Sequence, residues 1–103
     1  MSPEVDKQAL VSAIEQRILR GPGVAPPDLR ARAFDNRDLP EPLATLVDKV
    51  ARRSIQLTDG DFAAALAAGF SEDQLFELVI CAAVGESSRR YQAGLAALAE
   101  ASS

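Results

Sequence analysis

Leu66-Ala67-Ala68-Gly69-Phe70-Ser71-Glu72-Asp73-Gln74-Leu75-Phe76-Glu77-Leu78 decides the fold of this 103-residue chain, because it contains the end of one helix and the start of the next. Gly69 suits the left-handed position just past a helix end, where a Cβ would clash, and Phe70 can fold back on the turn before it. Ser71 and Gln74 then have the spacing of a capping box, in which each side chain takes a backbone amide hydrogen that the first turn leaves free. Beyond the box, Leu75, Phe76, Val79, Ile80, Ala83 and Val84 form a broad apolar face, and Tyr91, Leu95 and Leu98 continue it. The pattern predicts a helix over 72–99, bent or interrupted near Gly85-Glu86-Ser87-Ser88, where glycine and serine weaken helical preference. About 40 Å of such helix exceeds what so small a domain covers by itself, so a second subunit is expected against it.

Towards the N-terminus the same punctuation recurs. Thr58-Asp59-Gly60-Asp61 places a cap three residues before a carboxylate and predicts a helix over 59–68. Asp38 with Glu41 predicts a cap for a helix over 40–55 that carries Leu43, Leu46, Val47 and Val50 on one side. Ser2-Pro3-Glu4 opens a first helix over 3–19, with Leu10, Val11, Ile14 and Ile18 at helical spacing, and Gly21-Pro22-Gly23 stops it. Val24-Ala25-Pro26-Pro27 reads as a stiff crossing to a short helix over 28–34. No segment alternates as a strand does. The expected architecture is one all-α domain over 1–103 without repeats.

Composition removes whole classes of chemistry. The chain has no histidine, one cysteine, no tryptophan and one tyrosine. A His/Cys metal site, a Ser-His-Asp triad and an intrachain dithiol are therefore excluded, and neither metal nor cofactor is expected. Carboxylates, arginines and one thiol remain. Eleven Lys and Arg against fifteen Asp and Glu give a net charge of −4, with only Arg52-Arg53 and Arg89-Arg90 adjacent, so nucleic acid is not an expected partner. No basic segment followed by an apolar run opens the chain, and the apolar stretch Leu78 to Val84 is too short to span a bilayer. The expectation is a cytoplasmic protein without membrane attachment.

Leu66 to Leu78, followed by Cys81-Ala82-Ala83-Val84-Gly85, Arg89-Arg90 and Leu95, resembles the carboxymuconolactone decarboxylase superfamily, also described as AhpD-like. The likeness is a helix ending in Ala-Gly, a capped start and a long alanine-rich helix with a small residue and then arginine near its middle. It implies an AhpD-like helical core over 43–98, with 1–40 as an N-terminal helical extension packed on it, and self-association through the C-terminal helix. Redox members of that family carry a Cys-x-x-Cys-x-x-x-His motif ahead of the Ala-Gly stop. The matching positions here are Ser54, Leu57 and Asp61, so the motif is lost and dithiol peroxidase activity with it. What the resemblance leaves is a divergent member that binds or converts a small organic acid. The alternative is a noncatalytic oligomeric or partner-binding protein on the same fold.

The candidate site residues follow from chemistry and spacing. Asp61 occupies the place of the family histidine, though its position also suits a cap. Glu77 can face an inter-helix cleft or solvent, and Cys81, four residues on, reads as a small buried apolar group. Glu86 stands four before Arg90 in the favourable acidic-to-basic order. Arg89 and Arg90 can grip a carboxylate with paired hydrogen bonds, and Tyr91 would wall such a site. Asp61, Glu77 and Glu86 are thus the candidates for acid or base work, and Arg89, Arg90 and Tyr91 those for ligand binding.

Overall fold

The helix after the Ser71 box organises the molecule. In the computed structural model, which describes residues 3–102, it runs without interruption over Glu72–Ala101. The chain forms α1 (Pro3–Arg20), α2 (Pro27–Asp35), α3 (Leu43–Arg52), α4 (Asp59–Ala67) and α5 (Glu72–Ala101), with a 3-10 turn at Ser54–Gln56 between α3 and α4. Among the described residues there is no strand, so the fold is all-α. Thirty residues of α5 correspond to about 45 Å, close to the 50 Å longest dimension of the molecule.

The local signals around Gly69 fold as their chemistry dictates. Gly69 has φ +106°, its amide donates to the Leu66 carbonyl, and the Phe70 amide donates to the Ala65 carbonyl. The Ser71 hydroxyl accepts the Gln74 amide at 3.1 Å, and the Gln74 side chain accepts the Ser71 amide at 2.9 Å. Asp61 likewise reaches back to the Thr58 amide at 2.9 Å.

The expected helix over 40–55 is shorter at both ends, starting at Leu43 and stopping at Arg52. Asp38 is not its cap. Asp38 has φ +59°, and Leu39 and Glu41 each precede a proline, which disfavours helical backbone at both. The freed amides of Ala44 and Leu46 instead donate to the carbonyls of Pro40 and Pro42. At the other end Arg53 leaves helical geometry at φ −140°, and the chain tightens into the 3-10 turn. Smaller shifts affect the remaining helices: α1 ends at Arg20, α2 spans Pro27–Asp35 with a proline in its first turn, and α4 ends at Ala67. The Ser2 cap lies outside the described residues.

The core is built where α2, α3 and α5 meet. Leu43, Leu46 and Val47 from α3 pack with Leu78 and Cys81 from α5, all essentially inaccessible to solvent. Ala25, Ala33 and Ala65 complete it from the α1–α2 connection, α2 and α4, so the stretch read as an extension supplies core residues.

Gly85 is the tightest point. Any Cβ there would stand 1.9 Å from the Phe34 carbonyl oxygen at the end of α2, and it would strike backbone rather than a movable side chain. The glycine that reads as a weak spot in the helix therefore serves close packing, and α5 passes straight through it. Replacing it by alanine forces α2 away from α5 and is expected to cost at least about 1–3 kcal/mol. Gly94 on the same helix has nothing within 4 Å of its would-be Cβ, so Gly94→Ala should stabilise by up to about 1 kcal/mol. Urea unfolding of the two variants beside the native chain checks both signs.

Candidate functional site

Glu77 and Glu86 are nine residues apart on α5, two and a half turns, which puts them on opposite sides of the helix. The structure accordingly separates the candidate residues into distinct places.

Glu77 faces the connection between α1 and α2. Its carboxylate accepts the amide hydrogens of Val24, at 2.9 Å, and of Ala25, holding that loop against α5. Gly23 lies close beside it, and a Cβ there would stand 2.4 Å from the Glu77 carboxylate and displace it. Next to this clasp, Arg30 is 95% buried and donates through Nη1 to the carbonyls of Gly21, at 2.8 Å, and Ile18. These carbonyls belong to the last turn and end of α1, where free acceptors favour a cation. Arg30 Nε is buried without a hydrogen-bond partner. A hollow of about 320 Å³ lies here between Arg17, Ile18, Pro22, Arg30, Glu77 and Ile80. Cys81 sits one turn further along α5, fully buried. Burial pushes its thiol up to about 11, with Arg30 opposing the rise and Glu77 adding to it. A thiol so placed is a weak nucleophile at neutral pH.

Glu86, Arg89 and Arg90 do form the expected cluster, against the end of α2. Arg89 donates to the Phe34 carbonyl at 2.6 Å and to Glu86 at 3.0 Å, while Arg90 Nε donates to Glu86 at 3.2 Å. The Arg89 guanidinium holds the Glu86 carboxyl below its usual range, against a smaller desolvation effect, and Arg90 adds to the lowering. The three border an open hollow of about 370 Å³ together with Asp35, Asn36 and Arg52. Arg52 is the last residue of α3, and its arrival at this hollow depends on where α3 packs. Arg30 was missed altogether; the one local signal was its place three residues before Ala33, on the face of α2 that turns inward.

Asp61 lies elsewhere, on α4. Lys49 donates to its two oxygens at 2.9 and 3.1 Å, and the Thr58 amide and hydroxyl donate as well. The Lys49 hydrogen bonds lead in holding its carboxyl below the ordinary value, which makes it a poor base. Tyr91 is also apart from the arginines that precede it. It turns towards α1, lining grooves with Val11, Ile14 and Ser88.

The arrangement thus brings Glu86, Arg89 and Arg90 together, adds Arg52, and leaves Asp61, Glu77 and Tyr91 in other neighbourhoods. No group of three or more metal-ligating side chains occurs among the described residues, and no helix there is long and apolar enough to cross a membrane. Compared with known proteins, the chain matches no family model, no curated protein and no solved structure.

Two measurements test this local chemistry. Cys81 should react with iodoacetamide only as fast as the fold opens, and at the ordinary thiol rate in denaturant; rapid labelling of the native chain would contradict its burial. Asp48, beside Asn36 and Arg53, is also held low, chiefly by the Asn36 hydrogen bond, as Asp61 is by Lys49 and Glu86 by Arg89. Carboxyls lowered by folding contribute stability above their unfolded values, 3.8 for aspartate and 4.5 for glutamate, and lose it as pH falls towards the folded values. The urea midpoint should therefore stay level from pH 7 to about pH 5 and fall below about pH 4.5, and Lys49→Met should make that fall smaller.

Proposed function

We propose that this chain is a noncatalytic helical assembly protein that works by associating with itself. The observation that carries the reading is the fate of the reactive groups. Asp61 and Glu77 hold helix starts and loops, Glu86 is neutralised by two arginines, and Cys81 is buried, while large apolar side chains stand in solvent. Ile55 is 96% exposed, Phe76 67%, Leu98 64% and Leu10 62%. Two of the exposed apolar side chains, Phe76 and Leu66, share one apolar hollow with Phe62 and Val79, which suits a contact better than a reaction.

The resemblance to the carboxymuconolactone decarboxylase superfamily belongs to this proposal. Its support is the order of residues from Leu66 to Leu95, read as a divergent, AhpD-like branch without the dithiol motif. A second reading, binding of a small organic acid, is favoured by one observation: Arg52 joins Arg89 and Arg90 around one hollow. Titration with succinate, followed by amide chemical shifts, distinguishes it, since shifts at Asn36, Arg52 and Arg90 that vanish in Arg52→Gln would establish such a site.

For the leading reading, sedimentation velocity across a wide concentration range should give a species heavier than the 10.9 kDa chain at the upper end. The same preparation should not turn over hydroperoxides through a thiol cycle. A single 10.9 kDa species throughout would overturn the assembly reading.

A further inference from the structure

Arg30 is the one buried charged residue among those described, 5% accessible, and it makes no ion pair there. A buried charge is ordinarily matched by an opposite one, because dipoles alone repay only part of the hydration it gives up. Glu77 is the carboxylate on the same hollow, yet its oxygens take the amide hydrogens of Val24 and Ala25 and form no ion pair with Arg30. The charge of Arg30 is left without a counterpart.

Its guanidinium is also only partly used. Nη1 donates to the carbonyls of Ile18 and Gly21 at 3.2 and 2.8 Å, so the acceptors at the end of α1 are already met. Nε has no partner, and Nη2, which keeps contact with solvent, makes no hydrogen bond among the described residues. Nε and Nη2 together form the edge of a guanidinium that grips a carboxylate with two parallel hydrogen bonds. Arg17 lines the same hollow from α1 and is likewise without an ion pair among the described residues. Two guanidiniums thus stand beside one carboxylate, and the backbone already holds that carboxylate.

The remaining walls are apolar. Ile18, Pro22 and Ile80 complete the lining of this hollow of about 320 Å³. A bare inorganic anion would lose water against these side chains without return, whereas an apolar chain attached to the anion would be covered by them. A second charge on the ligand would stand against the apolar wall or against Glu77.

We infer that this hollow binds a small monocarboxylate with an apolar body. Its carboxylate meets the free edge of Arg30 from Nη2, the open end, beside Arg17, and its chain lies against Ile18, Pro22 and Ile80. Arg17, Ile18, Pro22 and Arg30 all precede the stretch that carries the family resemblance, and the site is separate from the Arg52 hollow. It goes beyond the assembly reading and does not depend on it.

The test titrates the native chain with hexanoate, hexan-1-ol, phosphate and succinate, followed by amide shifts and by the Arg30 Nε–H resonance. Hexanoate should give saturable shifts at 17–25, 30 and 77–81 by about 10 mM. Hexan-1-ol and phosphate each carry half of the required chemistry and succinate carries a second charge, so all three should bind there at least about tenfold more weakly. Arg17→Gln, at an exposed position, should weaken hexanoate about two- to fivefold. Arg30→Lys keeps a positive charge but loses the planar edge, and should weaken it at least about tenfold with helix content unchanged by circular dichroism. Should Arg30→Lys fail to fold, the Arg17 variant and the Arg30 Nε–H resonance of the native chain decide. Any of the three other probes binding as tightly as hexanoate overturns the ligand class. Shifts centred on Asn36, Arg52 and Arg90, or none that saturate, overturn the site, and neither result touches the assembly reading, which sedimentation tests by itself.

Discussion

The contact between the end of α2 and the middle of α5 governs the rest of the molecule. Because Gly85 has no side chain, the Phe34 carbonyl comes down onto the α5 backbone, and Arg89 closes over the same carbonyl from the next turn. α2 must then end at that point. Asn36 takes a left-handed conformation at φ 53° and turns the chain away, and its side chain donates to Asp48 on α3 at 3.0 Å. One close approach thus fixes the direction of α2 and links the following turn to α3, and the three helices enclose Leu43, Leu46, Val47 and Leu78. At the other end of α2, Arg30 binds the end of α1 and Glu77 binds the connecting loop, so the position of α1 depends on α2 as well.

The same geometry explains why several of the charged groups are engaged by the backbone. Short helices leave many backbone groups without partners for each residue they bury, since every end exposes up to four amides or four carbonyls. Four of the five helices here have 18 residues or fewer. Side chains with strong donors and acceptors are drawn to those ends. Arg30 and Arg89 serve carbonyls at the ends of α1 and α2, Asp61 serves an amide at the start of α4, and Glu77 serves two loop amides. With no histidine in the chain, the groups that remain for catalysis are largely those the backbone already uses.

Local signals were legible in the sequence, and signals that depend on distant partners were not. The Gly69 turn and the Ser71 and Thr58 caps involve residues within five positions of one another, so spacing alone determines them. The Asp38–Glu41 pair has the same spacing but lies among Pro40 and Pro42, and the restriction on residues before proline outweighs a side-chain cap. Gly85 read as a flexible point because its partner, Phe34, is fifty-one residues away. Glu77 meets Val24 and Ala25 across a similar gap. The opposite placement of Glu77 and Glu86 was open to helical arithmetic, as was the turn of Tyr91 towards the apolar stripe of Leu95 and Leu98. The convergence of Arg52 on the α2–α5 hollow was not, because it follows from how α3 packs.

The balance of the core bears on how α1 is held. The largest fully buried side chains are only Leu43, Leu46, Leu78, Val47 and Cys81, and the rest of the core is mostly alanine, whose small side chain buries little apolar surface. That core lies under α2, α3 and the first half of α5. α1 meets the rest of the chain through the hydrogen bonds of Arg30 and Ser88 and through Val11, Ile18 and Leu19, none of which is fully buried. Hydrogen bonds exchanged with water are worth about 1 kcal/mol each, so this set holds a helix of 18 residues only modestly against its conformational entropy. Leu10 and Ile14 stay exposed, so α1 gains little apolar burial within its own chain.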